Sequence, residues 1–178
     1  RDWQVTNQHP DGVTESLIIR RVSWRNQGSQ HSLEGDIAWG LNDDIADIFV
    51  SADIRGQLWP LGQQDGDVYL LVDEQQWSRW VPEHLPRDLS IGSMRASLEG
   101  WLSLSDGDLK SLYIRAVVPE FSVQAPENQL NLTRGTLMIS GERTDEDWHL
   151  QILPKFAEPL PIQEVRLSSV RLPEQRGW

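Results

Sequence analysis

The sequence contains one strand–turn–strand pattern twice. The tripeptide Leu-Glu-Gly at residues 33–35 begins an alternating apolar and polar stretch, which is followed by an acidic turn at 42–44 and an apolar run at 45–52. The same tripeptide recurs at residues 98–100, again before an alternating stretch, an acidic turn and an apolar run. A weaker third copy begins at Arg134. Repeated units of this kind predict a β-sheet that is built by the addition of similar hairpins.

Alternation of apolar and polar residues with a period of two dominates the chain and predicts a mainly β, largely antiparallel protein. Turn-forming residues such as Asn, Asp and Gly separate the candidate strands, and the short spacing between the strands favours a meander topology. The predicted strands are residues 16–24, 32–41, 46–54, 67–73, 90–104, 109–118, 120–124, 129–140, 148–153 and 163–172.

Two segments interrupt this alternation. Residues 74–81 are predicted to form one short helix, because Asp73 can cap it and Trp77 and Trp80 then share a helical face. Residues 154–162 contain three prolines, which cannot donate hydrogen bonds to a β-ladder. This second segment is therefore predicted to be an irregular connection.

The predicted strands have one apolar face and one polar face. Leu98, Leu102 and Leu104 share one side of a strand, whereas Glu99 and Ser103 share the other. An apolar face has to be covered by a second sheet, by closure into a barrel, by helices or by an apolar ligand. Because one short helix cannot cover ten strands, the sequence leaves a sandwich, a barrel or a curved open sheet that holds lipid.

The overall composition argues against several classes of function. The net charge is −11, with 27 acidic and 16 basic residues, which disfavours binding to the phosphates of nucleic acid. Cysteine is absent, so disulfides, thiolate nucleophiles and zinc–thiolate sites are excluded. No apolar run reaches the ~18 residues that a membrane-spanning helix requires. With 178 residues beginning at Arg1, residues 1–178 are expected to form a single segment of a longer protein.

Catalytic and metal-binding signals are weak. The four histidines are scattered, and none lies at a helical i, i+4 spacing from another. No nucleophile elbow, phosphate-binding loop or dinucleotide-binding turn occurs. The acidic segments 65–67 and 106–108 lack the spaced oxygen ligands of a calcium loop and are better explained as tight turns. We therefore expect no catalytic residue, no metal site and no cofactor.

The nine tryptophans are the unusual feature of the composition. Tryptophan combines a large apolar ring with an N–H donor, which suits half-buried positions on sheets and at their borders. Trp39 falls on the apolar face and is predicted to line a core or a groove. Trp101 falls on the polar face and is the best candidate for an exposed ring, as in the aromatic platform of a carbohydrate-binding module.

Part of the chain resembles a known family. The strand at residues 67–73, the tryptophans at 77 and 80, and the stretch 94–109, which contains Ser-Leu-Glu-Gly-Trp and an acidic turn, resemble the N-terminal periplasmic part of YhdP-type AsmA-like proteins. The resemblance covers roughly residues 14–150 and is strongest in its middle.

The resemblance implies a long, taco-like groove made of repeating β-strands in a protein that is anchored in the inner membrane of Gram-negative bacteria. It implies that the groove carries phospholipid through the periplasm and so supports the permeability barrier of the outer membrane. The implied partners are phospholipid, neighbouring groove repeats of the same chain, and the membrane through segments outside this one. The groove lining is predicted to comprise Leu33, Ile37, Trp39, Ile48, Val50, Leu98, Leu102, Leu104, Leu112, Ile114 and Leu137.

Two other interpretations remain open from the residues. A closed β-sandwich could use its tryptophans as a platform for carbohydrate, or the chain could be a structural envelope domain with a filled core. The first of these places the tryptophans on an outer flat face, and the second predicts that no apolar ligand is bound.

Overall fold

One antiparallel sheet accounts for the architecture of this protein. The computed structural model describes residues 2–8, 14–42, 44–57, 63–77, 90–124, 129–144, 147–157 and 164–170. The strands are β1 (Trp3–Gln8), β2 (Thr14–Gln27), β3 (Gln30–Leu41), β4 (Asp44–Arg55), β5 (Asp65–Gln76), β6 (Ser90–Ser105), β7 (Asp108–Gln124), β8 (Gln129–Thr144), β9 (Asp147–Lys155) and β10 (Val165–Val170).

The ten strands form an open, curved meander in which each strand pairs with its neighbours in the sequence. Every pair is antiparallel, and β1 and β10 form the two edges of the sheet. The predicted mainly β, largely antiparallel fold is therefore confirmed. Within the ranges given above, no helix is long and apolar enough to cross a membrane.

Strand β7 joins two of the predicted strands into one, although Pro119 lies between them. The register between β6 and β7 shifts between Arg95 and Ser97, which marks a β-bulge next to this proline. On the other side, Arg134 lies across from Pro119 between two regular pairs and has a positive φ of 50°. A proline lacks the N–H that a ladder needs, and a bulge is a place where a strand can accommodate it.

The helix predicted for residues 74–81 does not begin where the sequence pattern placed it. Residues 74–76 continue β5, and Gln75 and Gln76 pair with Ala96 and Arg95 of the long strand β6. The local capping signal was outweighed because β6 offers backbone partners beyond the end of the predicted strand. Residues 78–81 lie outside the described part of the chain.

Two further differences concern strand ends. Strand β1 was not predicted, and it pairs with β2 at the edge of the sheet. Pro154, which was assigned to an irregular connection, lies in β9 opposite Leu137. Pairing between β9 and β10 ends at Ile152, so this proline lies beyond the part of β9 that β10 covers. Residues 158–162 of the predicted connection are outside the described ranges.

The described strands do not pack face to face on one another. Substantial contacts between strands occur only between sequential neighbours. No large side chain is fully buried among the described residues, and the buried apolar positions are mostly small. They are Ala38, Ala46, Ala52, Val72, Ala96, Ala116, Val118, Leu132 and Trp148. The sandwich interpretation is therefore wrong for the part of the chain that the structure describes.

One local cluster, which we name the corner cluster, forms on β6, β7 and β8 beside the ends of β5 and β9. Ala96, Ala116 and Val118 are buried there, and five larger side chains pack against them. These five are Trp77, Leu98, Phe121, Leu137 and Phe156. The cluster brings together β6, β7 and β8 with the residues that directly follow β5 and β9.

We expect Gly135→Ala to lower the free energy of unfolding by about 1–3 kcal/mol, because overpacked sites cost that much. A Cβ at Gly135 would overlap the ring of Phe156, which would then have to move. Gly100→Ala is the matched control, since its added Cβ would meet nothing nearer than 3.8 Å. Urea denaturation of both variants measures the difference. Equal midpoints for the two variants would contradict the packing described here.

Candidate functional site

The register of the sheet arranges side chains in rows that cross the strands. Residues that are directly paired in antiparallel strands point to the same face of the sheet. Three adjacent rows on one face cross nine strands each and contain no polar or charged residue. We name them the Leu102 row, the Gly100 row and the Leu98 row, and together they form the centre of the apolar face.

The Leu102 row consists of Trp24, Leu33, Ala52, Val68, Leu102, Leu112, Gly141, Leu150 and Leu167. The Gly100 row consists of Val22, Gly35, Val50, Leu70, Gly100, Ile114, Ile139, Ile152 and Val165. The Leu98 row consists of Trp3, Ile19, Ile37, Ile48, Val72, Leu98, Ala116, Leu137 and Pro154.

All eleven residues predicted from the sequence to line a groove lie on this one face. Trp39 pairs with Leu17 and Ala46 in a row beside the Leu98 row. Leu104 pairs with Gly66 in a row beside the Leu102 row. The other nine belong to the three rows, and they are Leu33, Ile37, Ile48, Val50, Leu98, Leu102, Leu112, Ile114 and Leu137. Their role as lipid contacts remains a prediction.

The sequence pattern missed several members of the rows. Strand β5 contributes Val68, Leu70 and Val72, which sit in an apolar run whose faces cannot be separated by alternation alone. Leu150 and Ile152 of β9 were also missed. The pairing partners decide which side these residues occupy, and the sequence of a single strand does not contain that information.

Small residues lower the surface of the apolar face at several points. Gly35 and Gly100 are buried in the Gly100 row, and Ala52 is 4% exposed in the Leu102 row. At the β2–β3 border, larger side chains are accessible: Val22 is 52%, Trp24 43% and Trp39 41% exposed. Apart from the indole N–H groups of Trp3 and Trp24, the side chains of the three rows have no hydrogen-bonding group, so the rows suit an apolar ligand.

The opposite face is polar and carries an aromatic row. Trp101 is 41% exposed there, which confirms its predicted position. The centroids of the rings of Tyr69 and Tyr113 each lie 5.4 Å from that of Trp101. Tyr69 Oη–H donates a hydrogen bond to Glu99 at 2.9 Å, and this bond raises the pKa of the Tyr69 phenol. A cleft of about 210 Å³ lies beside these rings.

Ionisable groups on the described residues form ion pairs and local hydrogen bonds. Arg20 pairs with Asp47 at 2.7 Å. His31 is buried, with Nδ1 at 2.6 Å from Asn26 Oδ1 and Nε2 at 3.0 Å from the carbonyl oxygen of Gly56. Within the described ranges, no group of three or more His, Cys, Asp or Glu residues could hold a metal ion.

Part of the chain is similar to one curated protein. The chain is 26% identical over 110 residues to a curated relative, the intermembrane phospholipid transporter YhdP of Escherichia coli (strain K12). The match covers 61% of this chain and 8% of the relative, so the chain spans a small part of that protein's length. No protein-family profile matches the chain, and no solved structure matches it.

The titration of Tyr69 tests the geometry of the polar face. The chain has two tyrosines, so Tyr113→Phe leaves Tyr69 as the single phenol. Because the bond to Glu99 raises its pKa, we expect its absorbance to titrate with a midpoint above 10.0, and Glu99→Ala to lower that midpoint. The same bond contributes stability below pH ~10, and this contribution disappears as the pH rises through the raised pKa. A midpoint that Glu99→Ala leaves unchanged would rule out the hydrogen bond.

Proposed function

We propose that this chain is a segment of a lipid-transport protein and that its apolar face holds the acyl chains of phospholipids on their way from the inner to the outer membrane. The observation that carries the proposal is the set of three apolar rows, which cross nine strands without a polar interruption. The similarity to a protein named as an intermembrane phospholipid transporter supports the same conclusion.

The dimensions of the rows suit a path for acyl chains. Neighbouring strands lie about 4.8 Å apart, so a row across nine strands extends for roughly 38 Å. Each buried CH₂ group contributes about 0.8 kcal/mol wherever it lies on a uniform apolar surface. A lipid chain can therefore move along a row while it exchanges one apolar contact for another. Such a role requires no catalytic residue, and we propose that the segment is not an enzyme.

The edges of the sheet suit a segment within a longer groove. Strand β1 is an edge strand, with Trp3 75% and Val5 62% exposed on its apolar face. An edge strand presents unpaired backbone groups that another strand can bind. We propose that neighbouring groove repeats of the same chain pair with β1 and β10. In this account the segment lies in the periplasm, and parts of the protein outside it reach the inner membrane.

The aromatic row on the polar face favours a second candidate function, which is binding of carbohydrate. Tyr69, Trp101 and Tyr113 lie side by side across three strands, with Asp53 and Asp67 lining the cleft next to them. Aromatic rings beside hydrogen-bonding groups suit the apolar and hydroxyl surfaces of a sugar. This candidate uses the opposite face of the sheet from the lipid proposal, and the two can be tested separately.

Photo-crosslinking within the bacterial envelope tests the proposed lipid path. A photoreactive residue replaces Leu102 in one variant and Ser103 in another, and attached phospholipid is detected after irradiation. Leu102 belongs to the Leu102 row, whereas Ser103 pairs with Asp67 and Ser111 on the polar face. The two positions are adjacent in the chain and face opposite sides, so each controls for the other.

We expect phospholipid on position 102 and none on position 103. Lipid on neither position, in variants that fold and accumulate normally, would contradict the proposal and leave carbohydrate binding or a structural role as the better account.

A further inference from the structure

We propose that Trp77 and Phe156 form a wall along one side of the lipid path. In this arrangement an acyl chain rests on the Leu102 and Gly100 rows and is excluded from the Leu98 row where that row crosses β6, β7 and β8. The inference rests on the proposed lipid-transport function and specifies which part of the apolar face the lipid occupies.

Trp77 is held in place by a hydrogen bond as well as by packing. Its Nε1–H donates to the carbonyl oxygen of Ala96 at 2.7 Å, and the ring packs against the corner cluster. Beneath it, Ala96 is 0%, Ala116 3% and Val118 2% exposed. An indole whose donor is satisfied and whose ring makes apolar contacts is unlike a freely rotating side chain, because its displacement would break a partly buried hydrogen bond.

Phe156 packs against the same cluster from the β9 side, whereas Trp77 does so from the β5 side. It follows the end of β9, and its ring lies over Gly135, which occupies the apolar face opposite Val118. The backbone of the next residue supports this position, since the N–H of Ala157 donates to the carbonyl oxygen of Thr133 at 3.5 Å. A glycine at position 135 is what allows the ring to lie directly against the sheet.

The wall shields two of the residues that the sequence predicts as lipid contacts. Leu98 and Leu137 pack against the corner cluster together with Trp77 and Phe156. Leu102 lies farther along β6 and pairs with Leu112 of β7, in a row that does not contribute to the cluster. Four predicted contacts on three adjacent strands therefore divide into two that face the wall and two that face the path.

Packing and hydrogen bonding favour a lipid chain on the uncovered rows. A lipid chain on the covered part of the Leu98 row would have to displace the indole, break its bond to Ala96 and expose buried apolar surface. The same chain on the Leu102 row meets no such obstacle and gains the same ~0.8 kcal/mol per CH₂ group. The wall thus confines the lipid without any specific polar contact to it.

Photo-crosslinking at four positions of the protein in the bacterial envelope tests the wall. The photoreactive residue replaces Leu98, Leu102, Leu112 or Leu137, one at a time, and phospholipid adducts are quantified. We expect adducts at positions 102 and 112 to exceed those at 98 and 137 by about tenfold or more. Adding Trp77→Ala to the position-98 variant should raise its adduct several-fold and leave the adduct at 102 unchanged.

Trp101→Ala is the matched control, because it removes a tryptophan from the opposite face and should change neither adduct. Since a bulky photoreactive residue could itself disturb the corner, labelling of a cysteine at position 98 by an apolar maleimide provides a second measurement in a segment that contains no natural cysteine. That labelling should be slow in the natural background and faster with Trp77→Ala.

The outcomes separate the two proposals. Adducts at 98 and 137 as strong as those at 102 and 112, or labelling at 98 that ignores Trp77→Ala, would overturn the wall and leave the lipid path intact. The absence of adducts at all four positions would overturn the lipid path, and the wall with it.

Discussion

The continuous register of the sheet is the constraint on which the rest of the structure depends. In a strand every second residue faces the same side, so a shift of one residue would exchange the apolar and polar faces from that point onward. One irregularity in β2 shows how the apolar residues are kept on one face. Between Ile19 and Arg21 the pairing of β2 with β3 contains a bulge, and the extra residue keeps Ile19 and Val22, three positions apart, on the apolar face. If all residues of β2 paired regularly here, without the bulge, Trp24 would face the polar side.

The polar face supports this arrangement without supplying much of its stability. Arg20 and Arg21 at the bulge pair with Asp47 and Asp36 at 2.7 and 2.8 Å, and these side chains are partly exposed. Exposed pairs of this kind contribute little to stability, because solvent screens the two charges. A larger contribution comes from apolar contacts within the rows and in the corner cluster, because removal of apolar area from water is the dominant favourable term. A single-layer sheet leaves part of that term available to a ligand.

Much of the fold could be predicted from the sequence because alternation has a direct physical meaning in a strand. In β3, β4, β6 and β7, the alternation within each strand shows which residues face the apolar side. The structure places all eleven predicted groove residues on one face. In β5 the two faces are harder to assign from the sequence, because the apolar neighbours Leu70 and Leu71 face opposite sides. Phe49 and Met138 are apolar residues on the polar face, and only their cross-strand partners reveal this.

The remaining features depend on contacts between distant residues. The bulge beside Pro119 requires strands on both sides to adapt, so the proline on its own suggested a break. The extension of β5 through residues 74–76 depends on the length of β6. The wall depends on Trp77 and Phe156, which are far apart in the sequence and meet the same three strands. No local sequence pattern predicts such contacts. Gly135 reflects them, because the ring of Phe156 occupies the space of a Cβ there.

The most direct test of the central claim compares one charge on the two faces of a single strand. Leu112→Asp places a carboxylate in the Leu102 row, whereas Ser111→Asp places the same group on the polar face between Ser103 and Glu142. The measurement is the rate at which phospholipid moves from the inner to the outer membrane in cells that carry each variant of the protein. If the apolar face carries acyl chains, Leu112→Asp should reduce the rate strongly, because an unpaired charge on the path has no compensation, and Ser111→Asp should leave it near normal. Equal rates for two folded variants would contradict the account.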